Sequence, residues 1–173
     1  MQIDETPIEY LAPGKGQTAQ GYLWTPSPRT RYPVYHWHPG RGHKCLEKII
    51  PVNFTGTIQC DAYGAYRTYA RKREGIELAG CWAHARRKFH ECLVQEEAKQ
   101  RAAWIMRQIG HLYGIEQELR TSRAGPALRE AIRRSRSRPI LDRIHRALIR
   151  FQRSRIHLPK SLLGKALSYA LGQ

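Results

Sequence analysis

The feature that most constrains the fold of this 173-residue chain is a change of hydrophobic period near Trp82. Before Trp82, apolar and polar residues alternate in short runs that Gly and Pro interrupt, which is typical of β-strands. After it, apolar residues recur every three or four positions, which is typical of amphipathic helices. The sequence therefore predicts an α/β protein whose strands all come first and whose remainder is helical.

Five strands and two short helices are predicted before Trp82. The strands cover residues 2–10, 19–24, 33–38, 57–60 and 76–81. Short turns join the first three strands, which predicts an antiparallel meander. The helices cover about residues 40–50 and 65–72, so the expected chain order is β-β-β-α-β-α-β.

The helical part is predicted to begin with a long amphipathic helix. Its apolar face is formed by Ala102, Ile105, Ile109, Leu112, Ile115 and Leu119. A second helix is expected after Gly125-Pro126, and a third is expected to start at Pro139 because proline favours the first turn of a helix. A last helix is expected over residues 160–173.

The charge of the chain predicts a polyanionic partner. The sequence holds 30 Lys and Arg against 14 Asp and Glu, a formal net charge of +16, and Arg outnumbers Lys 22 to 8. Guanidinium groups bind phosphates in bidentate fashion, and no basic stretch carries a bulky aromatic face for a membrane. Nucleic acid is therefore the expected partner, although a merely basic surface would have the same composition.

The N-terminus and the cysteines indicate a cytoplasmic protein. No run of about 18 apolar residues could span a bilayer, and the N-terminus has no signal-peptide pattern. The four cysteines have no paired spacing and are expected to be buried thiols.

Two aspartates lie in or directly after predicted strands, where aspartate is rare. Asp4 lies in the first predicted strand, and Asp61 directly follows the fourth. The predicted chain order is that of the ribonuclease-H-like fold of retroviral integrases and DDE transposases, in which the first and fourth strands are neighbours. Asp4 and Asp61 could then converge and hold Mg²⁺, which prefers oxygen ligands. Alternatively, Asp61 caps the following helix and Asp4 is an exposed edge residue.

An ordered series of short motifs resembles the transposases of the insertion-sequence family numbered sixty-six. The motifs are DETP at 4–7, GKG at 14–16, GYLW at 21–24, DAY at 61–63, CWAHARRKF at 81–89, IGHLYGIE at 109–116, LPKS at 158–161 and KALSYAL at 165–171. Each motif is common by itself, whereas the ordered set covers essentially the whole chain.

The resemblance implies metal-dependent cleavage and transfer of DNA strands by an Asp-Asp-Glu triad that uses Mg²⁺ or Mn²⁺. Asp4 and Asp61 match its first two members. The third, a Glu in an Asn-Asn-x-x-Glu-Arg segment, has no match in this sequence, and relatives also extend upstream of Met1. We therefore expect a chain truncated at both ends that does not cleave DNA by itself.

The same resemblance implies three regions. Residues 1–95 would form an incomplete catalytic core, residues 96–158 an Arg-rich helical insertion, and residues 159–173 the start of the part that leads to the missing Glu. Element ends and target DNA are the implied partners, together with further transposase subunits or accessory proteins of the mobile element.

The segment that begins with Cys81 permits two interpretations. Cys81 and His84 have the C-x-x-H spacing of a zinc half-site, but only His90 and Cys92 are near enough to complete it. The favoured interpretation is that Cys81 packs at the junction of strand and helix, while His84 contacts an active-site carboxylate or a phosphate of the DNA.

Basic side chains follow His84 on the same predicted helix. Arg86, Arg87 and Lys88 are expected to contact the DNA backbone while Phe89 turns inward; the alternative is a solvated helical face.

A second basic segment lies further along, since residues 120–155 hold 12 arginines against two acidic residues. The densest part contains Arg133, Arg134, Arg136 and Arg138, which are expected to neutralise DNA phosphates or to face an acidic partner surface. The sequence thus predicts a piece of a DDE transposase, with a non-enzymatic basic DNA-binding protein as the alternative.

Overall fold

The structure, a computed structural model, describes residues 1–14, 16–27, 32, 34–154 and 157–172. These residues form two compact units, Met1–Cys81 and Trp82–Gly172. The first unit contains five strands and the second is helical, so the predicted α/β class is confirmed.

The first unit is built on a mixed five-stranded sheet. The strands are β1 (Gln2–Leu11), β2 (Thr18–Ser27), β3 (His36–His38), β4 (Gly56–Cys60) and β5 (Ile76–Gly80), in the spatial order β3-β2-β1-β4-β5. β1, β2 and β3 pair antiparallel, which confirms the predicted meander. β4 lies parallel to both β1 and β5.

Two helices and one face of the sheet enclose the core of this unit. The helices are α1 (His43–Ile49) and α2 (Gly64–Arg71). Ile3, Trp24 and Ile58 project from the sheet into a cluster with Leu46 and Tyr66, and all five are almost fully buried. Side chains alternate between the two faces of a strand, and this alternation fixes which residues of β1 reach the core.

The third strand is shorter than the predicted range of 33–38. It pairs through His36–His38 only, while Val34 and Tyr35 are exposed, and residue 33 lies outside the described part of the chain. The Val34 amide donates to the Pro26 carbonyl at 3.4 Å. Proline has no amide hydrogen with which to return a bond, so the ladder does not continue past this point.

The second unit consists of helices. They are α3 (Trp82–Glu91), a 3-10 turn (Cys92–Val94), α4 (Glu96–Thr121), α5 (Pro126–Ile132), a π-helical segment (Arg133–Ser137), α6 (Arg138–Arg153) and α7 (Leu162–Leu171). The six apolar residues predicted to line one face of the long helix are all buried. Phe89, Ile144 and Leu163 pack against that face, so the predicted amphipathic helix is confirmed.

The predicted helix start at Pro139 is wrong in one respect, because the chain is already helical before it. α5, the π-helical segment and α6 follow one another without a break, and the Arg138 amide donates to the Arg133 carbonyl five residues back. Inside an α-helix, a proline ring collides with the carbonyl four residues earlier. The wider π turn relieves that crowding, so the helix continues through the proline.

The last helix starts two residues later than predicted because Ser161 caps it. The Ser161 hydroxyl accepts a hydrogen bond from the Gly164 amide at 3.1 Å. Residue 173, the end of the predicted range, lies outside the described residues. Across the described chain, no helix has the length and apolar character needed to cross a bilayer.

Candidate functional site

The sheet places the backbones of Asp4 and Asp61 at the same level on neighbouring strands. β1 and β4 run parallel, with Gln2 paired to Gln59, and each aspartate comes two residues after its member of that pair. The Gln59 amide donates to the Met1 carbonyl at 2.8 Å, and the Met1 amino group donates to the Thr57 carbonyl at 2.7 Å. Both aspartates are half-buried.

The carboxylate of Asp61 has two contacts in the first unit. One oxygen accepts a hydrogen bond from the Tyr63 amide at 2.9 Å, just before α2 begins. The other lies 3.5 Å from a guanidinium nitrogen of Arg41. The alternative prediction that Asp61 caps this helix is wrong, because the N-cap is Tyr63 and no side chain accepts a capping hydrogen bond. Asp61 instead orders the turn that leads into α2.

The carboxylate that shares this arginine with Asp61 belongs to Glu5. Arg41 Nε donates to one Glu5 oxygen at 2.7 Å, and Nη2 lies 2.6 Å from the same oxygen as an ion-pair contact. The Tyr66 hydroxyl donates to the other oxygen. Alternation along β1 puts Glu5 on the core side with Ile3, and Asp4 on the opposite face of the strand. Within this unit, then, Arg41 joins Asp61 to Glu5.

Burial controls the electrostatics of this cluster. The Glu5 side chain is 1% exposed, and burial raises the pKa of its carboxyl group by more than the hydrogen bonds from Tyr66 and Arg41 lower it. Burial and the neighbouring Glu5 also raise the pKa of Tyr66, so its hydroxyl remains a donor. The Arg41 guanidinium lies 3.9 Å from the centre of the Tyr63 ring, where a cation is attracted to the π-electrons.

Glu5, Arg41 and Tyr66 were not identified from the sequence. One signal was present, because Glu5 occupies an inward position of an alternating strand, and a buried carboxylate requires a positive or hydrogen-bonding partner. The identity of that partner was not readable, because Arg41 lies 36 positions away in a loop.

Carboxylate oxygens are the right donors for Mg²⁺, and Asp4 and Asp61 supply two of them at one level of the sheet. Among the described residues, however, no group of three or more His, Cys, Asp or Glu side chains is arranged to hold a metal ion. The donor type therefore fits Mg²⁺, whereas the described ligands are too few for a complete site.

The cysteines are thiols held within the packing of each unit. All four are free and buried, as predicted. Burial raises the pKa of Cys60 to about 12 and that of Cys92 to about 11. The Cys92 thiol donates to the Lys88 carbonyl at 3.2 Å, which is a packing role.

The predicted basic helix is α3, and its surface matches the expected pattern. Arg86, Arg87 and Lys88 are exposed, while Phe89 is fully buried. His84 is half-buried on the same helix. Their expected contacts with DNA remain predictions.

The arginines of the π-helical segment are engaged with carboxylates of the same unit. Arg133 forms a bidentate pair with Glu116 at 2.6 and 2.7 Å, and Arg136 pairs with Glu118 at 2.6 and 3.3 Å. Two further pairs join helical neighbours, Arg134 with Glu130 at 2.8 Å and Arg138 with Asp142 at 3.1 Å. The four arginines singled out for DNA contact are therefore brought together with acidic partners inside the unit.

Comparison with known proteins gives the family. The protein family described as "Transposase IS66 family" matches residues 1–173 of this chain. Similar proteins include the uncharacterized proteins y4qI and y4jD of Sinorhizobium fredii (strain NBRC 101917 / NGR234). The first is 35% identical over 80% of this chain and 28% of its own length, and the second is 30% identical over 97% and 34%.

The chain therefore spans about a third of the length of the curated relatives it matches. No solved structure matches it. The match over every residue, together with the mixed sheet and the ordered motifs, is sufficient for one conclusion: this chain belongs to the IS66 family of transposases.

Proposed function

We propose that this chain contributes part of the ribonuclease-H-like core of a DDE transposase, which cleaves and transfers DNA strands. The observation that carries the proposal is that Asp4 in β1 and Asp61 directly after β4 each come two residues beyond Gln2 and Gln59, the pair that joins these parallel strands. The chain order β-β-β-α-β-α-β, with β1 beside β4, supports the same fold.

In this proposal, Asp4 and Asp61 are the ligands of Mg²⁺ or Mn²⁺. A pair of such ions activates an attacking hydroxyl group and stabilises the leaving oxygen of a phosphodiester. The chain itself holds Asp61 through the Tyr63 amide, and Arg41 balances the negative charge shared by Asp61 and Glu5. Because no Asn-Asn-x-x-Glu-Arg segment occurs in the 173 residues, we expect these residues alone to bind the metal without cutting DNA.

DNA is the proposed partner, and the bacterial nucleoid the proposed location. The support is the formal charge of +16 and the exposed Arg86, Arg87 and Lys88 on α3. His84 on the same helix would donate to a phosphate. Further transposase subunits are proposed to complete the assembly.

The metal proposal is tested by titrating Mn²⁺ into the chain and following the free ion by electron paramagnetic resonance. Asp4→Asn and Asp61→Asn should each weaken Mn²⁺ binding at least about tenfold, because each removes a charged ligand. Asp142→Asn is the matched control, because Asp142 is the third aspartate of the chain and pairs with Arg138. Equal binding by all three variants would refute the assignment. Nicking by the unaltered chain that is lost in Asp61→Ala would refute the expected inactivity.

A non-enzymatic DNA-binding protein is the second candidate, and the Arg41–Asp61 contact favours it. An arginine beside Asp61 already supplies positive charge at the place where the first candidate requires a metal. This candidate predicts that duplex affinity does not change with Mg²⁺, with Asp4→Asn or with Asp61→Asn. The first candidate predicts an affinity that rises with Mg²⁺ and loses that response in both variants.

A further inference from the structure

The arginines between residues 129 and 153 fall into two groups with different surroundings. The first group lies in and around the π-helical segment, and its guanidinium groups are paired with Glu116, Glu118, Glu130 and Asp142. The Arg129 guanidinium also joins the Glu116 pair at 3.7 Å and donates to the carbonyls of Leu119 and Ala124. Of these, Arg129, Arg133 and Arg136 bond to residues of α4 and so hold α5 and the π-helical segment against that helix.

The second group lies on α6 beyond Asp142, and we call it the α6 arginine face. It consists of Arg143, Arg146, Arg150 and Arg153. Their spacing of three, four and three residues places them on one side of the helix. Ile144 and Leu148 are buried on the other side, so the four arginines point away from the core.

The α6 arginine face carries uncompensated positive charge. All four residues are exposed, and no hydrogen bond or ion pair joins their side chains to any other residue that the structure describes. After Asp142, α6 contains no acidic residue. Four like charges in one stripe create a local positive potential that attracts a polyanion.

We propose that the α6 arginine face binds the phosphate backbone of duplex DNA, in place of the arginines in the π-helical segment. From Arg143 to Arg153 the helix rises about 15 Å, a length over which duplex DNA presents several phosphates. Arg146, Ile149, Arg150, Arg153 and Ser154 line a shallow depression of about 480 Å³ that would accommodate a ridge of sugar and phosphate. This inference rests on the proposed function, because it takes DNA to be the partner.

The chemistry of the face favours DNA over other anionic partners. Guanidinium groups form bidentate hydrogen bonds to phosphate oxygens and remain charged at every physiological pH. A membrane-binding helix would present bulky aromatic or leucine side chains beside its basic residues, whereas here only the half-buried Ile149 is apolar. An acidic protein surface is the alternative partner, and the test below distinguishes it from DNA.

The test measures duplex binding by fluorescence anisotropy with the full chain, at salt concentrations from about 50 to 300 mM. The face variant replaces Arg143, Arg146, Arg150 and Arg153 with Gln. The control variant removes the same charge elsewhere, by replacing the exposed Lys44, Arg71, Arg107 and Lys165 with Gln. Helical circular dichroism checks that each variant is folded.

We expect the face variant to bind at least about tenfold more weakly and to lose about 3.6 units from the slope of log K against log salt, because each of the four phosphate contacts contributes about 0.9. The control variant should keep the slope. Equal losses in both variants would overturn the face assignment and leave the proposed function standing. Unchanged DNA binding by the face variant would have the same consequence and would leave an acidic protein surface as the alternative partner of the face.

Failure of the unaltered chain to bind duplex DNA at the lowest salt would overturn both the face assignment and DNA binding by this chain. If the fourfold variant does not fold, the single variants Arg146→Gln and Arg150→Gln provide the same test. Each should then reduce the slope by about one unit, and an unchanged slope in both would overturn the assignment.

Discussion

Replacing Arg41 with Met should destabilise the first unit more than replacing an exposed basic residue of that unit. The change removes the hydrogen bond from Arg41 Nε to Glu5, the ion-pair contact of Nη2 with the same oxygen, and the contact of 3.5 Å to Asp61. It also removes the cation–π contact of the guanidinium with the Tyr63 ring. Met retains most of the aliphatic length of the side chain, so the variant removes the guanidinium and little else.

The size of the effect follows from the burial of Glu5. Removing one partner of a fully buried ion pair costs about 3–5 kcal/mol, because the other charge is left without compensation. The Arg41 side chain is 34% exposed, so solvent screens part of the pair, and Tyr66 still donates to Glu5. We therefore expect a loss of about 2 kcal/mol in the free energy of unfolding near neutral pH.

The loss should grow with pH. The pKa of Glu5 is raised in the folded state, so the stability that its protonation contributes is present below its unfolded pKa and disappears as pH rises through the folded pKa. Arg41 lowers that folded pKa, and Arg41→Met should raise it further. Protonated Glu5 does not need the guanidinium, so the variant should approach the parent protein at pH values below the folded pKa of Glu5 and fall furthest below it at pH values above that pKa.

The measurement is urea unfolding followed by tryptophan fluorescence, in a background with Trp82→Phe and Trp104→Phe. The remaining Trp24 and Trp37 both lie in the first unit, and Trp24 is fully buried. Arg71→Met is the matched control, because Arg71 is exposed, and it should change stability by less than about 0.5 kcal/mol.

Two results would refute the reasoning about Arg41. One is a stability within about 0.5 kcal/mol of the parent at both pH values. The other is a double-mutant cycle with Glu5→Gln in which the two changes simply add, since a real pair gives a coupling energy above that size.

Three further predictions concern single sites. Glu116→Gln should cost less than about 1 kcal/mol in urea unfolding, because its pair with Arg133 is partly exposed, and the difference should vanish on acidification through the lowered pKa of Glu116. Gly164→Ala should cost about 2 kcal/mol or more, since its Cβ would collide with the backbone carbonyl oxygen of Leu158, whereas Gly110→Ala meets open space and should raise the melting temperature. Cys60, whose pKa burial raises to about 12, should resist iodoacetamide in the folded chain and react in denaturant, as mass spectrometry would show.

The local pattern of the sequence is sufficient to predict most of the helices and strands and their order along the chain. Alternation over residues 2–10 identified β1, and the face from Ala102 to Leu119 identified α4, because both signals depend only on residues close together in the chain. The end of β3 was not predictable in the same way, since it depends on a proline in the neighbouring strand.

The contacts of the charged residues were much less predictable. Asp61 was identified as a residue of interest, but its contact with Arg41 depends on how a distant loop folds back over the sheet. Likewise, Arg133 and Arg143 look alike in the sequence. One meets Glu116 and the other meets no described partner, because the π-helical segment and the packing of α4 determine the direction in which each side chain points.

The two neighbouring acidic residues of β1 show how the pleat of a strand places adjacent side chains in different environments. Asp4 and Glu5 are joined by one peptide bond, yet Glu5 is sealed against Tyr66 and Arg41 while Asp4 projects from the reverse side of the strand. Neither acid could substitute for the other, because a slip of one position would also turn Ile3 out of the interior. Evolution can therefore alter the internal charge balance and the outward-facing acid independently, although adjacent codons encode them.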